Sequence, residues 1–153
     1  LNNELDDFTA KPGTANAYGL IGYGSNLPGP RKRPLSSMTP TIVLKDGKPV
    51  LITGSPGGSR IISTVLQVVV NAIDFRMPID AAVSAPRLHH QWQPDEVIVE
   101  PGVAPDVLDA LARRGHKVSP TIPLTAVNSI AITPNGYVGA ADRRTRGSLA
   151  AGY

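Results

Sequence analysis

Apolar positions in this chain fall into short runs separated by turn residues. Thr41-Ile42-Val43-Leu44 and Val50-Leu51-Ile52-Thr53 read as strands. Lys45-Asp46-Gly47-Lys48 joins them, and its Asp-Gly pair is a strong hairpin signal. Residues 59–75 predict a helix that is apolar on nearly every face, through Ile61, Ile62, Val65, Leu66, Val68, Val69, Val70 and Ile73. Such a helix is expected in a buried layer, against a sheet. Residues 79–84 predict a short helix that stops before Pro86, because the residue preceding proline avoids helical geometry. Val97-Ile98-Val99 reads as a strand. Residues 104–114 read as an amphipathic helix with Pro105 in its first turn, Arg113 and Arg114 in its last, and Gly115 as its stop. Ser129-Ile130-Ala131-Ile132 and Gly136-Tyr137-Val138-Gly139 predict a second hairpin around Pro134-Asn135-Gly136. The pattern is α+β or layered α/β, built from antiparallel hairpins rather than βαβ units.

Residues 9–34 break this regularity. Pro and Gly recur through them, ending in Pro28-Gly29-Pro30, and predict an extended or mobile surface loop. A loop of this length in a compact domain is usually a lid or a binding loop. The 153 residues suit a single domain with a sizeable core. A hydrophobic share of 41% and a charged share of 18% are those of a globular chain. The net charge of +3 is scattered, and the densest basic run, Arg31-Lys32-Arg33, lies between prolines, so nucleic acid is not an expected partner. No stretch approaches the ~20 apolar residues of a membrane-spanning helix. Without cysteine the chain has no disulfide, thiolate metal site or Cys nucleophile. It opens at Leu1 without an initiator Met and reads as a fragment or a processed subunit.

Thr53-Gly54-Ser55-Pro56-Gly57-Gly58-Ser59-Arg60 is the most informative segment. Two adjacent glycines where a strand gives way to a helix allow a tight turn and leave two N–H groups unobstructed. Those donors sit at the positive end of the helix dipole, where an anion or a developing oxyanion is stabilised. The spacing fits neither a Rossmann fingerprint nor a P-loop, and a turn without function remains the alternative. Four further candidates stand out. Glu4, Asp6 and Asp7 can bind a metal or an ammonium group, or form a solvated turn. Ser36 and Ser37 can grip a carboxylate, or make ordinary turn hydrogen bonds after Pro34. His89 and His90 point apart, which argues against a shared metal and for a structural histidine bonded to backbone. His116 has no evident role. No Ser/His/Asp order or nucleophile elbow is present.

Taken in order, Asn2-Asn3-Glu4-Leu5-Asp6-Asp7-Phe8, Arg33-Pro34-Leu35-Ser36-Ser37-Met38-Thr39-Pro40 and the Gly57-Gly58 segment resemble the small subunit of γ-glutamyltranspeptidases. Ala85-Pro86-Arg87-Leu88-His89-His90-Gln91-Trp92 and the ending Leu149-Ala150-Ala151-Gly152-Tyr153 resemble the same family. The resemblance implies part of an N-terminal nucleophile hydrolase αββα sandwich. It implies a self-cleaving precursor, a nucleophilic N-terminal Thr upstream of Leu1, and transfer of a γ-glutamyl group through an acyl-enzyme. Gly57 and Gly58 would then donate to the oxyanion, and Ser36 and Ser37 would bind the α-carboxylate of the γ-glutamyl group. Asp7, assisted by Glu4, would bind its α-ammonium, and residues 12–30 would form a lid with Tyr18 near its closing position. The implied partners are the large subunit of the same precursor, glutathione or another γ-glutamyl donor, and an amino acid, peptide or water as acceptor. No cofactor and no metal are implied, and the implied location is periplasmic or secreted. This chain by itself is expected to be inactive and to expose apolar faces that favour self-association. A related acylase, such as a cephalosporin acylase or a poly-γ-glutamate-processing enzyme, and a non-catalytic module of the same fold are the alternatives.

Overall fold

Asp46 and Gly47 both adopt positive φ, 51° and 75°, the conformation that a two-residue hairpin with right-handed strand twist requires. A computed structural model describes residues 4–120 and 123–152, and in it this turn joins β1 (Thr41–Lys45) to β2 (Lys48–Gly54). A second hairpin, β6 (Asn128–Thr133) and β7 (Gly136–Ala141), extends the sheet in the order β1-β2-β6-β7, with every neighbour antiparallel. The β2–β6 register pairs Thr53 with Ser129, and their hydroxyls meet at 2.8 Å in the interior. Pairing two hydroxyls satisfies both where water cannot reach.

One face of this sheet is covered by α1 (Arg60–Ile73) and α2 (Ile79–Ser84). Leu51, Val68, Ile79, Val83, Val127 and Ala140 form the core between them. The other face carries Ile42, Ile52 and Ile130 directly opposite one another across three strands, and all three are exposed. α1 is likewise covered on one side only. Ile61, Thr64, Val65 and Val68 are buried, whereas Ile62 and Leu66, one turn apart, are 53% and 59% exposed. The expectation of a helix buried all round is thus corrected: one stripe meets the sheet and the opposite stripe is bare.

A smaller sheet, β3 (Leu88–His89), β4 (Val97–Val99) and β5 (Val118–Pro120), flanks α1. β3 and β4 are antiparallel, but β4 and β5 run parallel, with α3 (Pro105–Arg113) as the crossover. This βαβ unit departs from the all-hairpin expectation. Its strands are too short to show a period, and β5 ends in a proline, a residue that argues against a strand in sequence. Gly115, with φ 91°, terminates α3 as expected.

Among the described residues, the charges buried deep in the fold form one network. Arg87 Nη2 donates to Asp142 Oδ2 at 2.6 Å and to the Val83 carbonyl at 2.6 Å. Arg144 pairs with Glu100 at 2.6 Å and with Asp142 at 3.1 Å. The Glu100 carboxylate also accepts from Arg87 N and Leu124 N, and Asp142 accepts from Val127 N. Buried charges persist only when so compensated. Pattern reading did not single out this network, since an isolated arginine or carboxylate carries no local sign of burial.

Candidate functional site

The site begins where β2 runs out. Ser55 and Pro56 lead into Gly57 (φ 133°) and Gly58 (φ 57°), backbone conformations that side chains rarely tolerate. The Gly57 and Gly58 carbonyls accept from Arg60 N and Ile61 N, which starts the first turn of α1. Among the described residues the two glycine N–H groups donate to nothing. They remain available at the positive end of a fourteen-residue helix.

Thr125 sets the position of this turn. Its hydroxyl donates to the Pro56 carbonyl and contacts Ser55 Oγ at 2.5 Å, while Ser55 Oγ donates to the Ala126 carbonyl at 2.8 Å. A Cβ on Gly57 would lie 2.8 Å from Thr125 Oγ1, so the close approach itself requires glycine. Arg87 Nη1 donates to the Thr125 carbonyl at 2.9 Å, linking the turn to the buried charge network. Thr125 lies in an irregular segment, and no sequence signal marks it.

Residues Glu4–Asp7 form a turn of 3-10 helix beside the segment that carries Ser36 and Ser37. Ser36 Oγ donates to Glu4 Oε1 and accepts from Met38 N at 3.3 Å. Ser36 therefore makes the ordinary turn bond and also binds the acidic turn. Asn26 holds the two pieces in place: its Nδ2 donates to the Asp7 carbonyl at 2.7 Å, and its Oδ1 accepts from Leu35 N at 2.9 Å. The Asp7 carboxylate accepts no hydrogen bond among the described residues. Burial, and then the nearby Glu4 and Asp6 charges, raise its pKa above the ordinary carboxylate value. Asp6, Asp7, Ser36, Ser37, Tyr18 and Ser59 share the wall of one cleft of about 370 Å³. Glu4 is tied to it through Ser36.

Residues 12–30 are tied by their own hydrogen bonds rather than extended. Asn16 Oδ1 accepts from Tyr18 N at 2.9 Å and Leu20 N at 3.0 Å, and Gly13 N donates to the Gly22 carbonyl at 3.0 Å. The loop carries Tyr18, whose ring stands over Gly58: a Cβ there would run into ring atoms Cε2 and Cζ. The Arg60 guanidinium lies 5.9 Å from the ring centre. The loop thus lines the cleft and meets the glycine turn through Tyr18.

The histidines separate as their adjacency predicts. His90 faces Asp95 at 3.0 Å and the ring of His116, whose centre lies 6.2 Å away. His89 is buried, but its partners are side chains, not the backbone expected from sequence: Ser63 Oγ at 2.6 Å and Gln91 Oε1 at 2.9 Å. Burial lowers its pKa and keeps the ring neutral at physiological pH. No group of three His, Cys, Asp or Glu residues suited to a metal occurs among the described residues.

Residues 1–152 match the family described as gamma-glutamyltranspeptidase. The chain is 56% identical, over its whole length, to a glutathione hydrolase proenzyme of Escherichia coli strain K12, covering 27% of that protein. It is 45% identical to the glutathione hydrolase proenzyme of Bacillus subtilis strain 168, with 97% of this chain and 24% of that protein aligned. The chain therefore spans about a quarter of the length of the curated relatives it matches. Among solved structures, the T380A mutant of Helicobacter pylori gamma-glutamyltranspeptidase superposes with a TM-score of 0.85 at 51% identity, covering 95% of this chain and 81% of that one. The cephalosporin acylase of Bacillus halodurans superposes with a TM-score of 0.71 at 31% identity, over 78% of this chain and 23% of that one. The antiparallel sheet with its helical layer is part of the N-terminal nucleophile hydrolase fold. With that sheet, the paired glycines ahead of α1 and a match from residue 1 to residue 152, the chain belongs to the gamma-glutamyltranspeptidase family.

Proposed function

We propose that this chain provides the γ-glutamyl-binding pocket and the oxyanion donors of an enzyme that moves a γ-glutamyl group from glutathione, or a related compound, to water, an amino acid or a peptide. The observation that carries the reading is the shared cleft: a carboxylate without a hydrogen-bond partner among the described residues, two hydroxyls and a tyrosine that also touches the paired glycines. A γ-glutamyl group ends in a zwitterion, with one ammonium and one carboxylate. Asp7 suits the ammonium as a charge-assisted acceptor, with Glu4 beside it; Ser37 suits the carboxylate as a donor, and Ser36 joins it when its one hydrogen turns from Glu4 to the substrate. The nucleophile is an N-terminal Thr upstream of Leu1, whose own amine serves as base. When its oxygen adds to the γ-carbonyl, charge develops on the carbonyl oxygen, and Gly57 N–H and Gly58 N–H are the donors placed to receive it. Losing one such donor costs about 10²–10³ in rate. Collapse expels the leaving amine and leaves an acyl-enzyme, which water or an amine then resolves. The large subunit of the same precursor completes the site, in an exported protein, periplasmic or secreted.

The likeness to a cephalosporin acylase favours a second reading, an acylase with another acyl group. Asp7 discriminates, because an acyl donor without an α-amine has no use for it. Turnover of a γ-glutamyl anilide by the full-length protein, beside Asp7→Asn and Ser36→Ala/Ser37→Ala variants, tests both. Collapse in both variants supports the γ-glutamyl pocket. An active parent indifferent to Asp7 supports the acylase. A parent that neither matures nor turns over supports a binding module.

A further inference from the structure

Gln91 lies outside the cleft, yet its side chain touches three parts of the site at once. Its Nε2 donates to the main-chain carbonyl of Tyr18 at 2.6 Å and to that of Gln93 at 3.1 Å. Its Oε1 accepts from Ser59 Oγ, the residue after the paired glycines, at 2.8 Å, and from His89 Nε2 at 2.9 Å. Carbonyl oxygens only accept, so the two of them fix which end of the amide is nitrogen; the flipped amide would set oxygen against oxygen twice. With Oε1 fixed as acceptor, His89 Nε2 must carry its hydrogen, and Nδ1 accepts from Ser63 Oγ at 2.6 Å. The single Ser63 hydrogen thus goes to His89 rather than to the Arg60 carbonyl, which lies farther off at 3.2 Å. The loop after Gln91 adds packing: a Cβ on Gly19, next to Tyr18, would lie 3.2 Å from Pro94 Cδ.

We propose that Gln91 is a positioning residue that latches the cleft-lining loop, by its Tyr18 carbonyl, to the first turn of α1. The latch holds a main-chain atom and leaves the Tyr18 ring free to meet Gly58. Release of the loop would let the ring leave the glycine turn and let water reach the acyl-enzyme. The catalytic part of this inference rests on the γ-glutamyl reading; the structural part does not.

The test uses the full-length protein with Gln91→Glu and Gln91→Met. Both substitutions keep the side-chain length. Glutamate keeps an acceptor for Ser59 and His89 but faces the two carbonyls with a negative oxygen; methionine removes every polar contact. Chymotryptic cleavage after Tyr18 and Tyr23 should quicken about tenfold in both variants, the scale of one net hydrogen bond, since cutting tracks the open population. The KM for γ-glutamyl anilide should rise several-fold while kcat holds within about twofold, and hydrolysis should gain on transfer. Parental cleavage rates in both variants would overturn the latch. Failure of both to fold would also overturn it, in favour of a general folding role. A parent with no γ-glutamyl turnover would sink the γ-glutamyl reading alone, because the cleavage rates would still decide the latch.

Discussion

Gly58→Ala offers a test of whether the Tyr18 ring stands over the glycine turn during turnover. Alanine keeps the N–H, so the proposed oxyanion donor survives chemically and only its placement changes. Two costs arise. At φ 57° a residue with a Cβ pays about 1–2 kcal/mol in the left-handed region. The new methyl also collides with Tyr18 Cε2 and Cζ, so the ring must shift, at about 1–3 kcal/mol for an overpacked contact. In the parent the two add to about 2–5 kcal/mol, a loss of at least thirtyfold in kcat/KM if borne in the transition state. In a Tyr18→Ala background the collision vanishes and only the backbone cost of about 1–2 kcal/mol remains, some 5- to 30-fold. The double-mutant cycle should therefore show a coupling of about 1–3 kcal/mol. The assay is kcat/KM for γ-glutamyl anilide with the four full-length proteins, each normalised to its mature fraction. An equal loss on Gly58→Ala in both backgrounds would refute the reasoning and place the ring elsewhere in the working enzyme.

Three further outcomes follow from other parts of the fold. Ammonium binding needs the Asp7 carboxylate ionised, and its pKa is raised, so kcat/KM should fall on acidification earlier than an ordinary carboxylate would dictate; Asp7→Asn should erase that limb of the pH profile, and an unchanged limb would assign it to another group. Burial alone would raise the Asp142 pKa, but donors from Val127 and Arg144 and the Arg87 guanidinium outweigh it and hold the value below 3.8. Its contribution to stability is thus complete above that pH and is lost only as pH falls below it. Asp142→Ala should cost about 3–5 kcal/mol at neutral pH by leaving Arg87 buried and unpaired, read as a large drop in melting temperature; a loss under 1 kcal/mol would show that the network is dispensable. The isolated chain should self-associate on sizing columns through the Ile42, Ile52 and Ile130 row, and Ile52→Lys should restore monomers; a monomeric parent at high concentration would count against that surface.

The sequence disclosed most where local chemistry decides structure. Asp46-Gly47 announced a hairpin because both residues tolerate positive φ, and Pro105 and Gly115 bracketed α3 because each suits one helix end. Gly57-Gly58 was legible as an unobstructed pair of donors. What stayed hidden depends on partners distant in the chain. Thr125 meets Pro56 across sixty-nine residues, and Gln91 meets Tyr18 across seventy-three. No window of sequence contains either pair. The buried charge network was hidden for the same reason: a lone Arg87 or Asp142 looks like a surface residue until its counterion is placed. α1 shows the converse limit, since its apolar run predicted burial all round, whereas the structure covers one stripe and leaves Ile62 and Leu66 exposed.

One of the two antiparallel neighbours of β2 is β6, and Thr53 waits seventy-six residues for Ser129. Leu51, Val68, Ile79 and Val83 are therefore all synthesised before Val127 and Ala140, which complete their core, exist. Asp142 and Arg144 come later still, and until they arrive Val127 N lacks its acceptor and Arg87 and Glu100 lack their counterions. On a ribosome this segment would emerge as a sticky half-core and close only when nearly its whole length was made. Its folding is thus timed from its far end, and a nonsense codon or a pause before residue 142 would leave an aggregation-prone intermediate rather than a smaller working piece.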